Sequence, residues 1–239
     1  MEKKLPSLLD RVQNVEDTPY FVKLLLYGPP GSGKTFFAGH SPNPVFMDVE
    51  RSTETFRRIP ELSKIPVFIP KDFQEMFTFA KEVVSKKVYD TVVIDTIGRA
   101  QDNQVRDYLE TETNHGAKRS KYLALWGDFR VSTNMIDEMF VFLQEAPIHV
   151  IIIAHDEEVW NFDTKQLVRI KPDITPALSK SLVGLINVVA YLSADTDISG
   201  KITRKLVVNP YNKIVAKNRL NIQEPSIPNP TFKGIFLND

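Results

Sequence analysis

The chain has no cysteine. Disulfide scaffolds, thiol nucleophiles and cysteine-based zinc sites are therefore excluded, and a reducing compartment is permitted. Net charge is also missing, since 30 Lys plus Arg balance 30 Asp plus Glu. A polyanionic partner must then be met by a local basic patch, because the overall field attracts nothing. Long apolar runs are absent too. Stretches such as Val150 to Ala154 fall far short of the roughly 20 residues that a transmembrane helix needs. The first residues, Met-Glu-Lys-Lys-Leu-Pro-Ser-Leu-Leu-Asp, lack the apolar core of a signal peptide, so a cytoplasmic protein with no membrane partner is expected. The 10 Gly and 16 Pro follow no period, which excludes collagen-like structure. The 4 His are scattered, which argues against a zinc site. With 42% apolar residues over 239 positions, the chain has enough apolar surface to fold, as one large domain in preference to two small ones.

What is present alternates between apolar runs and helical spacing, the pattern of an α/β fold. Strands are predicted at 21–27, 44–48, 65–69, 91–95 and 149–154. Asp72 reads as a helix N-cap with Glu75 completing a capping box, and that helix runs to about Lys87. A second long helix is predicted from about Asp128 to Glu145, ended by Pro147. The last third reads as strands at 168–172, 188–192, 205–208 and 213–216, so the sheet is expected to begin parallel and finish with antiparallel additions. No internal repeat marks a second domain.

Gly28-Pro29-Pro30-Gly31-Ser32-Gly33-Lys34-Thr35 fits G-x-x-x-x-G-K-[ST], with a predicted strand before it and a helix after it. Glycines let consecutive backbone N–H groups turn inward into an anion nest, and the helix N-terminus adds a favourable dipole. In that setting Lys34 reaches the β- and γ-phosphates of a nucleotide such as ATP, and Thr35 offers its hydroxyl to Mg²⁺. Asp95 ends a buried strand, where a carboxylate points into the ligand crevice of an α/β sheet and can hold Mg²⁺. A plain turn or capping Asp is the bland alternative. Mechanical ATPases of the AAA+ class carry Asp-Glu at this place, with the Glu as base. Here the pair is Asp95-Thr96, so a base must come from elsewhere. Glu50, at the end of the second strand, is the leading candidate and Asp48 its rival. Surface pairing of Glu50 with Arg51 or Arg57 is the alternative.

Phe46-Met-Asp-Val-Glu50-Arg51 resembles the strand and catalytic Glu of RecA-like recombinases. The resemblance spans about Phe21 to Arg219. It implies a RecA-like P-loop NTPase core, with a mainly parallel central sheet flanked by helices and antiparallel strands near the C-terminus. His155 is similar in placement to the polar residue that feels the γ-phosphate in RecA-like proteins, where recombinases commonly carry Gln; a strand-end His capping backbone is the alternative. Lys217-Asn-Arg219 resembles the Lys-x-Arg finger of RecA-like hexameric helicases, which crosses a subunit boundary onto the neighbour's γ-phosphate; a solvated strand end is the alternative. RecA-like proteins bind single-stranded DNA through two loops. The corresponding segments here hold Lys118, Arg119 and Lys121 in one, and Trp160, Lys165 and Arg169 in the other. Both mix cations for phosphate with aromatics for stacking. Glu157, Glu158 and Asp163 dilute the second, and a plain β-hairpin is its alternative reading.

In size and arrangement the chain looks like the phage-encoded RecA-core ATPases of single-strand annealing and recombination. That resemblance implies an ATP- and Mg²⁺-dependent protein that binds single-stranded DNA and self-associates into a ring or filament. It also implies a phage single-stranded-DNA-binding protein as a partner and a bacterial host cytoplasm as location. Residues 1–20 are then an N-terminal arm for subunit contact, 21–220 the ATPase core and 221–239 a Pro-rich tail. The rivals are a ring helicase or loader motor, a nucleotide-gated interaction module with slow hydrolysis and, least favoured, a small-molecule kinase.

Overall fold

The computed structural model describes residues 9, 12–114, 120 and 122–237. The apolar run beginning at Phe21 gives strand β1 (Lys23–Tyr27), buried throughout. Its side chains alternate, with Leu25 and Tyr27 on one face of the sheet and Leu24 and Leu26 on the other. Strands β2 (Pro44–Asp48), β3 (Val67–Phe68), β4 (Thr91–Asp95), β5 (His149–Ala154) and β8 (Val188–Thr196) join β1 in parallel. Strands β9 (Ile202–Val207), β10 (Lys217–Asn218) and β11 (Ser226–Pro228) add antiparallel pairings. The order is β11-β9-β8-β1-β5-β4-β2-β3, with β10 also paired to β8. The fold is therefore a mixed α/β architecture with a mostly parallel central sheet and antiparallel strands toward the C-terminus, as expected.

Helices cover both faces. On one lie α2 (Phe73–Lys86), α3 (Ile97–Asn114), α4 (Trp126–Glu145) and α5 (Pro176–Leu185), packing Met76, Ile97, Ile136 and Leu182 onto the sheet. On the other lie α1 (Lys34–Gly39) and α6 (Phe232–Phe236), with Phe37, Phe232 and Phe236 in the core. Asp72 caps α2 as expected, accepting from Glu75 N at Oδ1 at 2.7 Å, but the box is not closed: Glu75 Oε2 accepts from Lys71 N at 2.6 Å, one residue before the N-cap. The segment after 220 lies along the sheet. β11 pairs with β9, and Phe232 meets the rings of Phe37 and His149. No helix among the described residues is long and apolar enough to cross a membrane.

One local expectation is corrected, and one element was missed. Residues 213–216 form no strand. Asn212 adopts a left-handed φ of 51°, Tyr211 and Ile214 close a tight turn, and only single bridges tie the segment to the chain around Ile170. Helix α5 was not predicted, although Thr175-Pro176 is a helix-start signal, Pro at the first helical position losing no intrahelical bond. A separate two-stranded hairpin, β6 (Asp156–Trp160) with β7 (Leu167–Pro172), begins directly after β5.

Candidate functional site

The C-terminal ends of β1, β2, β4 and β5 gather the predicted chemistry. In the loop after β1, Gly28 and Gly33 have φ of 153° and 97°. A Cβ on Gly28 would stand 2.1 Å from the Leu192 carbonyl oxygen, and one on Gly33 would stand 2.5 Å from Arg204 Nε. Glycine is thus required at Gly28 by conformation and by the Leu192 backbone, and at Gly33 by its left-handed conformation, since the Arg204 side chain could move aside. Gly33 leads into α1, leaving the first N–H groups of that helix at the loop.

Lys34 is 6% exposed, and its Nζ donates to the carbonyls of Gly28 at 2.7 Å and Pro29 at 2.9 Å. An ammonium has three N–H groups, so one stays uncommitted among the described residues. Burial lowers the Lys34 pKa, opposed by the carboxylates of Asp95, Asp156 and Glu50. The Ser32 hydroxyl is also buried with no partner among the described residues.

Asp95 is 1% exposed and accepts at Oδ2 from Thr35 Oγ1 at 2.8 Å and from Ser52 Oγ at 2.6 Å. Burial raises its pKa; the two hydroxyl donors oppose the rise, and Asp48 and Glu50 add to it. Burial thus moves the Lys34 amine and the Asp95 carboxyl toward their neutral forms. A triphosphate beside Lys34 and a divalent cation beside Asp95 would each favour the charged form again. Magnesium therefore fits: one hydroxyl and one carboxylate stand side by side, and a hard cation completes such a set with phosphate oxygens and water.

The Asp48 carboxylate is occupied within the fold. Its Oδ1 accepts from Ser52 N at 3.0 Å, and its Oδ2 accepts from Thr53 N at 3.0 Å and from the Thr53 hydroxyl. It is 1% exposed and caps the 3-10 turn at Ser52–Arg58. Glu50 pairs with neither Arg51 nor Arg57 in any ion pair among the described residues. Its Oε1 lies 3.2 Å from His155 Nε2, both side chains being about two-fifths exposed. Since a carboxylate only accepts, Nε2 is assigned the proton. His155 Nδ1 is buried without a partner among the described residues. The backbone N–H groups of Val49 and Glu50 both donate to the Asp95 carbonyl, which fixes the segment after β2 against the end of β4.

The remaining candidates are placed elsewhere. Lys217 Nζ donates to the carbonyls of Val183 and Gly184 at the end of α5. Arg219 is exposed, and its N–H donates to Asn187 O beside the start of β8, at the sheet end opposite the phosphate loop. Within one chain these two cations do not reach that loop. Trp160, Lys165 and Arg169 are exposed on the β6–β7 hairpin, together with Phe162 at 86% exposure. Lys118, Arg119 and Lys121 lie outside the described residues.

Three contributors escape sequence reasoning. Ser52 bonds Asp95 across 43 positions, and Tyr191 Oη donates to Asp156 Oδ2 at 3.4 Å. Arg204 Nε donates to the Ser32 carbonyl at 3.2 Å across 172 positions. No spacing announces any of these contacts.

A family model described as an AAA domain matches residues 20–220. The chain belongs to this AAA-domain family. The match covers the phosphate loop, Glu50, Asp95, His155 and the strands through β10. It supports a P-loop ATPase at that level, and it sits with the ring-motor alternative as readily as with the recombinase resemblance. The crystal structure of a KaiC-like protein from the hyperthermophilic archaeon Pyrococcus horikoshii is similar over 78% of this chain and 79% of that one, at 15% identity and a TM-score of 0.46. Among curated proteins none matches.

Proposed function

We propose that this AAA domain hydrolyses ATP with Mg²⁺ and couples that reaction to single-stranded DNA as a self-assembled ring or filament. The observation that carries hydrolysis is the Glu50–His155 pair at 3.2 Å, standing at the same strand ends as the Thr35–Asp95 contact and the phosphate loop. Lys34 and the loop N–H groups hold the β- and γ-phosphates. Thr35 and Asp95 hold the magnesium, which when bound supplies positive charge to the phosphate oxygens. Glu50 takes a proton from the attacking water as its oxygen bonds to the γ-phosphorus, and the bond from that phosphorus to the β–γ bridging oxygen breaks to leave ADP. His155 orients the Glu50 carboxylate by donating from Nε2.

The DNA part rests on the β6–β7 hairpin. It springs from the residue after His155 and carries exposed Trp160, Phe162, Lys165 and Arg169, a combination suited to base stacking and phosphate contact. Lys217 and Arg219 act, in this reading, across a subunit boundary.

Steady-state ATP hydrolysis, measured with and without single-stranded DNA alongside particle images, tests the proposal. Wild type is expected to turn over faster with DNA and to form rings or filaments. Absence of hydrolysis sinks the whole reading. Hydrolysis indifferent to DNA sinks the coupling alone, and strand unwinding would favour the motor. Mixing Glu50→Gln with Arg219→Ala subunits tests the finger, because a mixed boundary can join an intact base to an intact finger. No rescue despite co-assembly returns Lys217 and Arg219 to plain strand-end residues.

A further inference from the structure

Arg204, on β9, lies against the phosphate loop from the side opposite the catalytic carboxylates. Its Nε donates to the Ser32 carbonyl at 3.2 Å. Its guanidinium carbon stands 5.6 Å from the centre of the Phe36 ring, on the first turn of α1, within cation–π range. No carboxylate among the described residues pairs with it. The C-terminal segment fixes the backbone there: Asn229 N donates to Arg204 O at 2.7 Å, and Arg204 N donates to Asn229 Oδ1 at 3.4 Å. An unneutralised, part-buried cation is thus held against a loop built to receive anions.

Sheet order says which part of a nucleotide it meets. In the order β9-β8-β1-β5-β4-β2, Glu50, Asp95 and His155 follow strands on one side of β1, and Arg204 belongs to a strand on the other. A triphosphate with its γ-phosphate toward Glu50 and Asp95 must turn its α-phosphate and nucleoside toward β8 and β9. Arg204 accordingly touches the loop at Ser32 and α1 at Phe36, whereas Lys34 bonds the loop's first residues, Gly28 and Pro29.

We propose that Arg204 is a nucleotide-binding residue acting within its own chain, its guanidinium held by Phe36 and contacting the α-phosphate from the nucleoside side. This rests on the ATP-binding reading above. A planar, permanently charged fork suits phosphate oxygens, and its remaining N–H groups have no partner among the described residues while Nε stays on Ser32.

The test is equilibrium binding of Mg-ATP and Mg-ADP at two salt concentrations to wild type, Arg204→Gln, Arg204→Lys and Phe36→Leu, with Lys34→Ala as control. Gln can still donate to the Ser32 carbonyl, whereas Lys keeps the charge. Arg204→Gln is expected to weaken ATP and ADP alike by about tenfold or more, with a shallower salt dependence. Arg204→Lys should recover most of that loss. Phe36→Leu keeps the charge but frees the guanidinium, and should weaken both nucleotides by a smaller factor; it is also the second probe if Arg204→Gln fails to fold. Wild-type affinity in Arg204→Gln, with Lys34→Ala unable to bind, would make Arg204 a brace for the loop and overturn the inference alone. Loss confined to ATP would overturn it too, by placing Arg204 at the γ-phosphate. Failure of wild type to bind either nucleotide would instead overturn the ATP-binding reading, and this inference with it.

Discussion

Two lysines are buried at opposite ends of β1's surroundings, and the contrast separates what holds the fold from what serves the site. Lys23, at the start of β1, donates to three carbonyls, those of Leu143 at 2.8 Å, Ala146 at 2.9 Å and Ile148 at 2.5 Å. All three ammonium N–H groups are matched, and they satisfy the chain where α4 ends. Lys34, beyond the other end of β1, reaches two carbonyls and has no third partner among the described residues. The histidines repeat the pattern. His149, at the start of β5, accepts at Nδ1 from Val22 N at 2.9 Å and packs its ring on Phe21 and Phe232. His155, just past the end of β5, faces Glu50 and keeps a buried Nδ1 without a partner among the described residues. At one end of the sheet Lys23 and His149 are both partnered; at the other, Lys34, Ser32 and His155 keep buried polar groups without partners among the described residues, which a ligand can satisfy.

The largest expected effect breaks the contrast between the lysines. Lys34→Ala should cut ATP turnover by about 10³-fold through loss of a charge aimed at the phosphates. Lys23→Met should leave nucleotide affinity unchanged and destabilise the fold by about 1–3 kcal/mol, since the carbonyls near the end of α4 lose their donor. Steady-state ATP hydrolysis, calorimetric nucleotide titration and urea unfolding of both variants check this. A Lys34→Ala protein with normal turnover would dissolve the contrast.

Glu50→Gln comes next. The amide cannot take the water's proton, so turnover should fall by about 10²-fold or more while Mg-ATP affinity is retained. Single-turnover hydrolysis and binding measured on the same preparation separate the two quantities. Retained turnover would leave the His155–Glu50 pair as a surface contact.

How much of this is legible in the sequence follows from where each contact closes. The phosphate-loop motif and the α2 N-cap are local, eight and four residues long; Asp72 caps as read, and Glu75 reaches one residue further back than the box requires. Asp95 ends, and Glu50 follows by two residues, strands whose apolar runs are visible, so their shared neighbourhood was readable from the α/β pattern. The role of Asp48 was not. Alternation puts it near the site, but only folding brings the Ser52 and Thr53 N–H groups onto its carboxylate. Arg204 is harder still, because its loop partner lies 172 positions away, and a lone Arg in an amphipathic strand has no signature. The segment 213–216 misled because Ile214 and Val215 are good strand residues, yet the turn at Asn212 leaves too little chain to build a ladder.

A smaller effect sharpens the comparison through stability. With its folded pKa raised, Asp95 contributes stability below the ordinary carboxylate range and loses it as pH rises through the folded value. At neutral pH the ionised, buried carboxylate is therefore a cost in the ligand-free protein. Asp95→Asn keeps an oxygen for Thr35 and Ser52 and removes the charge. Ligand-free protein should gain about 1 kcal/mol, or about 2–4 °C in melting temperature, while losing the extra stabilisation that Mg-ATP gives wild type. A lower melting point for the ligand-free variant would mean that Asp95 holds the fold together as Lys23 does.

The smallest effect lies on the alkaline side and returns to Lys23. Burial pulls its ammonium down to about 8 from the usual 10.5. Between those values the unfolded chain keeps a proton that the folded one releases, so the unfolded state binds more protons and stability must rise with pH. Lys34, also lowered by burial, adds to the same rise when no nucleotide is bound. Tyrosines then reverse the slope. Burial pushes Tyr20 and Tyr191 up to about 12, and Tyr27 moves in the same direction. Above the ordinary phenol value of 10.0 the unfolded chain ionises hydroxyls that the fold keeps neutral, so stability falls again. Urea midpoints followed from pH 7 to 11 should therefore trace a shallow dome near pH 10, its rising limb worth about 1 kcal/mol. In Lys23→Met that limb should shrink and the falling limb persist. A rising limb unchanged by the substitution would show that the three carbonyls hold the Lys23 proton as firmly as water does, and that this end of the sheet carries its charge without cost.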